Sequence, residues 1–132
     1  MASIFTKIIQ GDIPSYKIAE DENYFAFLDI NPLAKGHTLI IPKKEIDYIF
    51  DLDNDLLGGM MVFAKKVARA IDKTIECERV GIAVLGLEVP HAHVHLIPIN
   101  DIGDINFRKP KLKFSEEEFK SIAEKISAAV EK

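Results

Sequence analysis

The chain has one cysteine and no tryptophan among its 132 residues. A lone Cys77 excludes an internal disulfide, so packing must hold the fold, which suits a reducing compartment. No apolar run approaches the roughly 18 residues needed to cross a bilayer. The opening Met1 to Lys7 lacks the apolar core of a secretion signal, and Lys7 and Asp12 interrupt it early. Positive charge is also short: 17 Lys and Arg stand against 21 Asp and Glu, a formal net charge of −4. That balance argues against a broad grip on nucleic acid, yet leaves room for a small anion held by a few aimed donors. Repeats, low-complexity tracts and linkers are absent too. The expectation is a cytoplasmic protein with neither membrane nor nucleic-acid partners.

The hydrophobic share of 48% is that of a globular protein. A chain of this length buries about two-thirds of the surface it exposes when unfolded, enough for one domain over 1–132. Ser3 can cap a short helix over Ile4 to Gln10, stopped by Gly11, with Ile4, Phe5, Ile8 and Ile9 sharing one side. Tyr16 to Ala19 and Asn23 to Leu28 read as strands around the turn Glu20-Asp21-Glu22. Asn31-Pro32 signals another turn, and His37 to Ile41 a buried strand ended by Pro42. Asp53 or Asn54 opens a long helix in which Leu56, Leu57, Met60, Met61, Ala64, Val67, Ala68, Ile71 and Ile75 recur at helical spacing. Val80 to Leu85 and His93 to Ile99 complete five strands. Ser115 with Glu118 forms a capping box for a last helix at about 115–131, with Phe119, Ile122, Ile126 and Val130 on its apolar stripe. Strands and helices do not alternate regularly. The expected fold is therefore α+β, a mainly antiparallel five-stranded sheet with a long helix and a C-terminal helix.

Three of the four histidines fall within five residues, at His91, His93 and His95. In a strand these alternate positions share one face, while Ala92, Val94 and Leu96 point the other way. Three readings are open. A solvated or core-satisfied cluster is disfavoured because histidine is costly to bury unpartnered and three would repel when protonated. A metal site is chemically natural for imidazole, but a closed site draws on further Cys or carboxylate ligands, and only Cys77 and scattered acids are on offer. Nucleophilic catalysis by the central imidazole, with the outer two orienting it and handling protons, uses all three.

His91-Ala92-His93-Val94-His95-Leu96-Ile97 resembles the His-φ-His-φ-His-φ-φ signature of the histidine triad (HIT) superfamily. The resemblance runs from Ile4 to about Ile99. The segment from Ile4 to Ile9 followed by Ile13-Pro14 is similar to the start of the Hint branch. So are Phe25 to Pro32 and Gly36 to Lys43, and His37 falls where the family places a fourth histidine. The resemblance implies hydrolysis of a purine nucleotide conjugate, such as an adenosine phosphoramidate, releasing AMP. His93 would attack the α-phosphorus to give a transient nucleotidyl-histidine, which water resolves. Its other ring nitrogen should be held by a backbone carbonyl. His95 would donate to phosphate oxygens or the leaving group, His91 would be a supporting donor, and His37 would shape the proton network from behind. Asp29 would accept from the ribose hydroxyls, although an Asp before Asn31-Pro32 also serves as a turn cap. Ile4, Phe5, Ile8, Ile13, Phe27, Leu28 and Ile30 would line an apolar base pocket. A homodimer is implied, with the helix from Asp53 and the strand near Val80 as contact elements, and no cofactor.

The sequence departs from the family in two places. Many members carry Asn-x-Gly upstream of the triad and Ser or Thr three residues before it. Here Arg79 to Pro90 contains no Asn, and that position is Glu88. The run Gly86-Leu87-Glu88-Val89-Pro90 must supply the phosphate loop, so Glu88 and Val89 are candidate nucleotide contacts, while Pro90 has no N–H to give. Several bacterial members bind zinc through two N-terminal cysteines and a histidine after Pro-Lys-Lys. The matching positions are Ser3, Thr6 and Glu45, so no metal is expected. The basic run Arg108 to Lys113 is expected to be a solvated face. Three alternatives remain: a nucleotide-binding module with little activity, a dinucleoside polyphosphate hydrolase, and a histidine metal enzyme.

Overall fold

The strands carry apolar residues at both parities, which demands a sheet covered on both faces. A computed structural model describes residues 2–131; the ends of the expected 1–132 domain, Met1 and Lys132, lie outside the described residues. The elements in order are α1 (Ile4–Ile9), β1 (Lys17–Glu20), β2 (Tyr24–Leu28), β3 (Thr38–Pro42), α2 (Asn54–Thr74), β4 (Arg79–Ala83), β5 (Val94–Ile99) and α3 (Glu116–Ala129), with single 3-10 turns at Ile49–Asp51 and Ile102–Asp104. The five strands lie in the order β1-β2-β3-β5-β4, and every neighbouring pair is antiparallel. This is the expected α+β architecture.

Local signals place most boundaries. The Ser3 side chain accepts from the Thr6 N–H, Asp53 from Leu56 and Ser115 from Glu118, so each of the three α-helices starts on the anticipated cap. The last helix is shorter than expected, because Val130 leaves the helical region with ψ 125°. The strand expected at Val80 to Leu85 stops at Ala83. It lies at the sheet edge, and Val84 and Leu85 beyond it are exposed. The strands expected from His37 and His93 start one residue later, at Thr38 and Val94. Gly36 makes the turn into β3 with φ 93°, a conformation that strains any residue with a Cβ.

Strand parity then divides the core. On one face Ala26, Leu28, Ile40, Ala92, Val94 and Leu96 pack against α2 and α3, chiefly on Met60, Phe63, Val67, Ile71, Phe119, Ile122 and Ile126. Side chains sealed as fully as Met60, Val67 and Ile71 contribute about 1.5–3 kcal/mol each. On the other face Phe5, Phe25, Phe27, Leu39 and Ile41 form a smaller cluster, with Ile8, Ile9 and Val89 at its margin. Phe63 and Leu52 are buried core residues outside the expected stripe, whereas Met61 of that stripe is exposed.

Candidate functional site

The smaller face carries the histidines. Antiparallel register puts Phe27 opposite Leu39, and Leu39 opposite His95, so the imidazole of His95 continues the row begun by the apolar cluster. His93 stands just before β5, its ring centroid 5.0 Å from that of His95 and 5.0 Å from that of Phe5. The pleat thus brings His93 and His95 together as expected.

His91 behaves differently. It lies in the bend before the strand, and its ring is sealed. Its Nε2 lies 2.8 Å from the Pro42 carbonyl and its Nδ1 lies 2.8 Å from Ser3 Oγ. Both ring nitrogens are therefore engaged within the protein, so the His91 ring does not share an open face with those of His93 and His95. What His91 offers to His93 is its backbone: the carbonyl oxygen lies 2.8 Å from His93 Nδ1.

Acceptors that cannot donate settle the proton positions. A carbonyl faces His93 Nδ1, so that atom carries the proton and Nε2 holds the free lone pair. At His37, Nδ1 accepts from the Leu33 N–H at 3.0 Å, so Nε2 carries the proton and donates to His95 Nδ1 at 2.9 Å. His95 in turn must hold its own proton on Nε2. Among the described residues no buried side-chain nitrogen or oxygen lacks a partner. Among the described residues the Nε2 atoms of His93 and His95 bond to no protein group, so both reach solvent although the two residues are only 6% and 7% exposed. The site therefore presents one lone pair beside one N–H donor.

Burial favours the neutral form of His37, His91 and His95. Desolvation first, and then the neighbouring His95, bring His37 down to about 3. Burial, with His93 second, brings His95 down to about 4. His91 is lowered as well, mainly by burial. Burial raises Asp29, against the opposing hydrogen bond from Asn31.

Asp29 Oδ1 caps the turn by accepting from the Asn31 N–H at 2.8 Å, while Oδ2 lies 3.5 Å from His37 Nε2. The capping reading is thus realised, with the second oxygen left toward the histidine pair. Phe5, Ile8, Phe27 and Val89 belong to the histidine-side cluster. Leu28 does not: strand parity turns it into the helix-side core, which corrects its expected place in a base pocket. Ile4 and Ile30 are exposed, at 49% and 63%. Ile13 is half-buried, and Glu88 is exposed on the loop after Gly86.

Two contributors were not anticipated. Phe107 packs its ring 4.8 Å from that of His95 and 6.4 Å from that of His37. Lys111 donates to the Phe107 carbonyl at 2.5 Å, and its charge acts on both Asp29 and His37. Part of the basic run expected to be a solvated face therefore folds back onto the site, held by the Leu112 N–H on the Pro32 carbonyl at 2.8 Å. The segment carries no periodicity or motif that would have announced this.

Asp29, His37 and His95 place ligand atoms within 4.8 Å of one another. Two of those atoms already share the His37–His95 hydrogen bond, so a metal ion would have to replace it. Two surface recesses, each of about 390 Å³, are lined by no histidine.

The chain resembles known proteins over most of its length. Residues 10–102 match the HIT domain. The chain is 35% identical over 132 residues to the adenosine 5'-monophosphoramidase hnt1 of Schizosaccharomyces pombe, covering 98% of this chain and 99% of that protein. It is 44% identical over 108 residues to the protein hit of Bacillus subtilis, covering 76% and 73%. The crystal structure of a Hit-like protein involved in cell-cycle regulation from Bartonella henselae superposes with a TM-score of 0.83 at 32% identity, covering 96% of this chain and 95% of that one.

Proposed function

The chain belongs to the HIT domain family, and we propose that it hydrolyses purine nucleoside 5'-phosphoramidates or similar conjugates by attack of His93 on the α-phosphorus. The observation that carries this reading is the pairing of two outward ring atoms. His93 Nε2 is an available lone pair because Nδ1–H is held by the His91 carbonyl. His95 Nε2–H is an available donor because Nδ1 is occupied by His37.

In the first step the His93 Nε2–P bond forms as the bond from phosphorus to the leaving amine breaks, and the amine takes a proton from solvent. In the second, water attacks phosphorus, the N–P bond breaks, and the water proton returns to solvent. His95 Nε2–H donates to a non-bridging phosphoryl oxygen throughout, and it does so as a neutral group. Dividing one displacement into two is the general gain of covalent catalysis. In this reading Asp29 Oδ2 accepts from the ribose hydroxyls, and Phe5, Ile8 and Phe27 are the apolar surface for the base. The relative named as an adenosine 5'-monophosphoramidase supports this substrate class.

Two inversions predict retention of configuration at phosphorus with a chiral phosphorothioate substrate, and inversion would refute the covalent path. Tight AMP binding with no phosphoramidate turnover would leave a binding module instead. A homodimer through α2 and β4 is part of the proposal. Its support is the exposed apolar surface there, Met61 and Val62 on α2 and Ile82 on the edge strand β4, which sedimentation would test.

A further inference from the structure

A second polar network lies behind the reacting pair, and its members come from three separate stretches of chain. Glu45 Oε1 accepts from Thr6 Oγ1–H at 2.6 Å and from the Ser3 backbone N–H at 2.6 Å. Ser3 Oγ lies 2.8 Å from His91 Nδ1, and Thr6 Oγ1 lies 3.4 Å from the same atom. His91 Nε2–H donates to the Pro42 carbonyl, and the His91 carbonyl holds His93 Nδ1–H. The next residues are tied in parallel, since the Ala92 N–H donates to the Ile46 carbonyl at 2.7 Å. Ile46 thus holds Ala92 directly, while Glu45 reaches His91 through Ser3 and Thr6.

Proton bookkeeping gives the network a direction. Each hydroxyl has one proton. Glu45, an acceptor only, takes the proton of Thr6. Thr6 Oγ1 then has none to give to His91, and the Ser3 hydroxyl is left as the donor to His91 Nδ1. This agrees with the proton that the Pro42 carbonyl requires on His91 Nε2. Without Glu45, the Thr6 hydroxyl is free to turn and compete for His91 Nδ1 or for Ser3 Oγ, 3.3 Å away.

We infer that Glu45, with Thr6 and Ser3, is a positioning device for the reacting imidazole: it orders the His91 ring, and the His91 carbonyl then fixes the angle and tautomer of His93. The inference rests on the reading of His93 as the reacting group. Among the described residues Glu45 makes no hydrogen bond to His93, so its effect passes through Ser3 and Thr6.

The test compares Glu45→Ala with Glu45→Gln, which keeps one oxygen for both donors. Hydrolysis of adenosine 5'-phosphoramidate is followed together with ¹⁵N histidine spectra of the free protein. Glu45→Ala is expected to lower kcat about fivefold or more, as misplacement of a reacting group does. KM should stay within about twofold, and the His93 Nδ1–H should lose its protection from exchange. Glu45→Gln is expected to retain most of kcat and the protection. If Glu45→Ala keeps both, or if the two variants fall equally, the inference is overturned. His93→Ala, run alongside, separates the two claims. Turnover that survives it overturns the reading of His93, while the exchange of His93 Nδ1–H in the Glu45 variants still decides the positioning role.

Discussion

Replacing His37 by its two amide analogues isolates a single hydrogen bond in the site. His37 is 1% exposed, accepts from Leu33 through Nδ1 and donates to His95 through Nε2. In His37→Asn the side-chain oxygen can take the Nδ1 position and keep the Leu33 partner, but no group reaches His95. That leaves His95 Nδ1 as a buried acceptor without a donor, at a cost of about 1–3 kcal/mol. The small void adds about 1 kcal/mol, for a loss of about 2–4 kcal/mol in urea unfolding. In His37→Gln the amide nitrogen can take the Nε2 position, restoring the donor to His95 and abandoning Leu33. If the His37–His95 bond serves to keep the His95 proton on Nε2, His37→Asn should lose about ten- to a hundredfold in kcat, at a factor of ten per 1.4 kcal/mol. His37→Gln should lose distinctly less. Equal turnover in the two variants, or a His95 proton still confined to Nε2 in the Asn variant by ¹⁵N spectroscopy, would refute this reasoning.

Replacing His93 by alanine should reduce phosphoramidate turnover by roughly a thousandfold or more while AMP binding persists by calorimetry; a loss below tenfold would remove it as nucleophile. The buried rings predict a sign for acid sensitivity. His37 and His95 have folded values of about 3 and about 4, below the ordinary value near 6.5. Between about pH 6.5 and 4 the unfolded chain therefore binds more protons, and these two residues lose stability as pH falls. Their ring resonances should not titrate above about pH 5, and titration near 6.5 would contradict the burial argument. Gly59→Ala would put a Cβ 2.1 Å from the Tyr24 hydroxyl, which donates to the Leu56 carbonyl. The helix must shift or lose that bond, lowering thermal stability by about 1–3 kcal/mol, and an unchanged melting temperature would show that the contact relaxes freely.

Short-range chemistry made much of the molecule legible. The caps Ser3, Asp53 and Ser115 act within three residues of themselves, so a sequence window contains both donor and acceptor. Strand parity is equally local, and it assigned Ala92, Val94 and Leu96 to one face and His93 and His95 to the other. The motif spacing identified the family through the same residues. What periodicity cannot show is which atom of a side chain meets which partner. His91 looked like a ring in line with its neighbours, yet contacts from Ser3 and Pro42 turn it under and leave its carbonyl as the useful group. Leu28 is a different case: it sits one residue from Phe27, so the same alternation along β2 consigns it to the opposite core.

The amino-acid order by itself determined the element types, the two faces of the sheet and the clustering of three histidines, because each depends on neighbours a few positions apart. Tertiary structure decided the proton arrangement beyond His93, whose Nδ1 meets the carbonyl of His91 two residues away. His37 meets His95 across 58 positions, Ser3 meets His91 across 88, and Phe107 returns to the site from beyond the motif. A tautomer is chosen by the partner that packing delivers, and folding delivers those partners from distant parts of the chain.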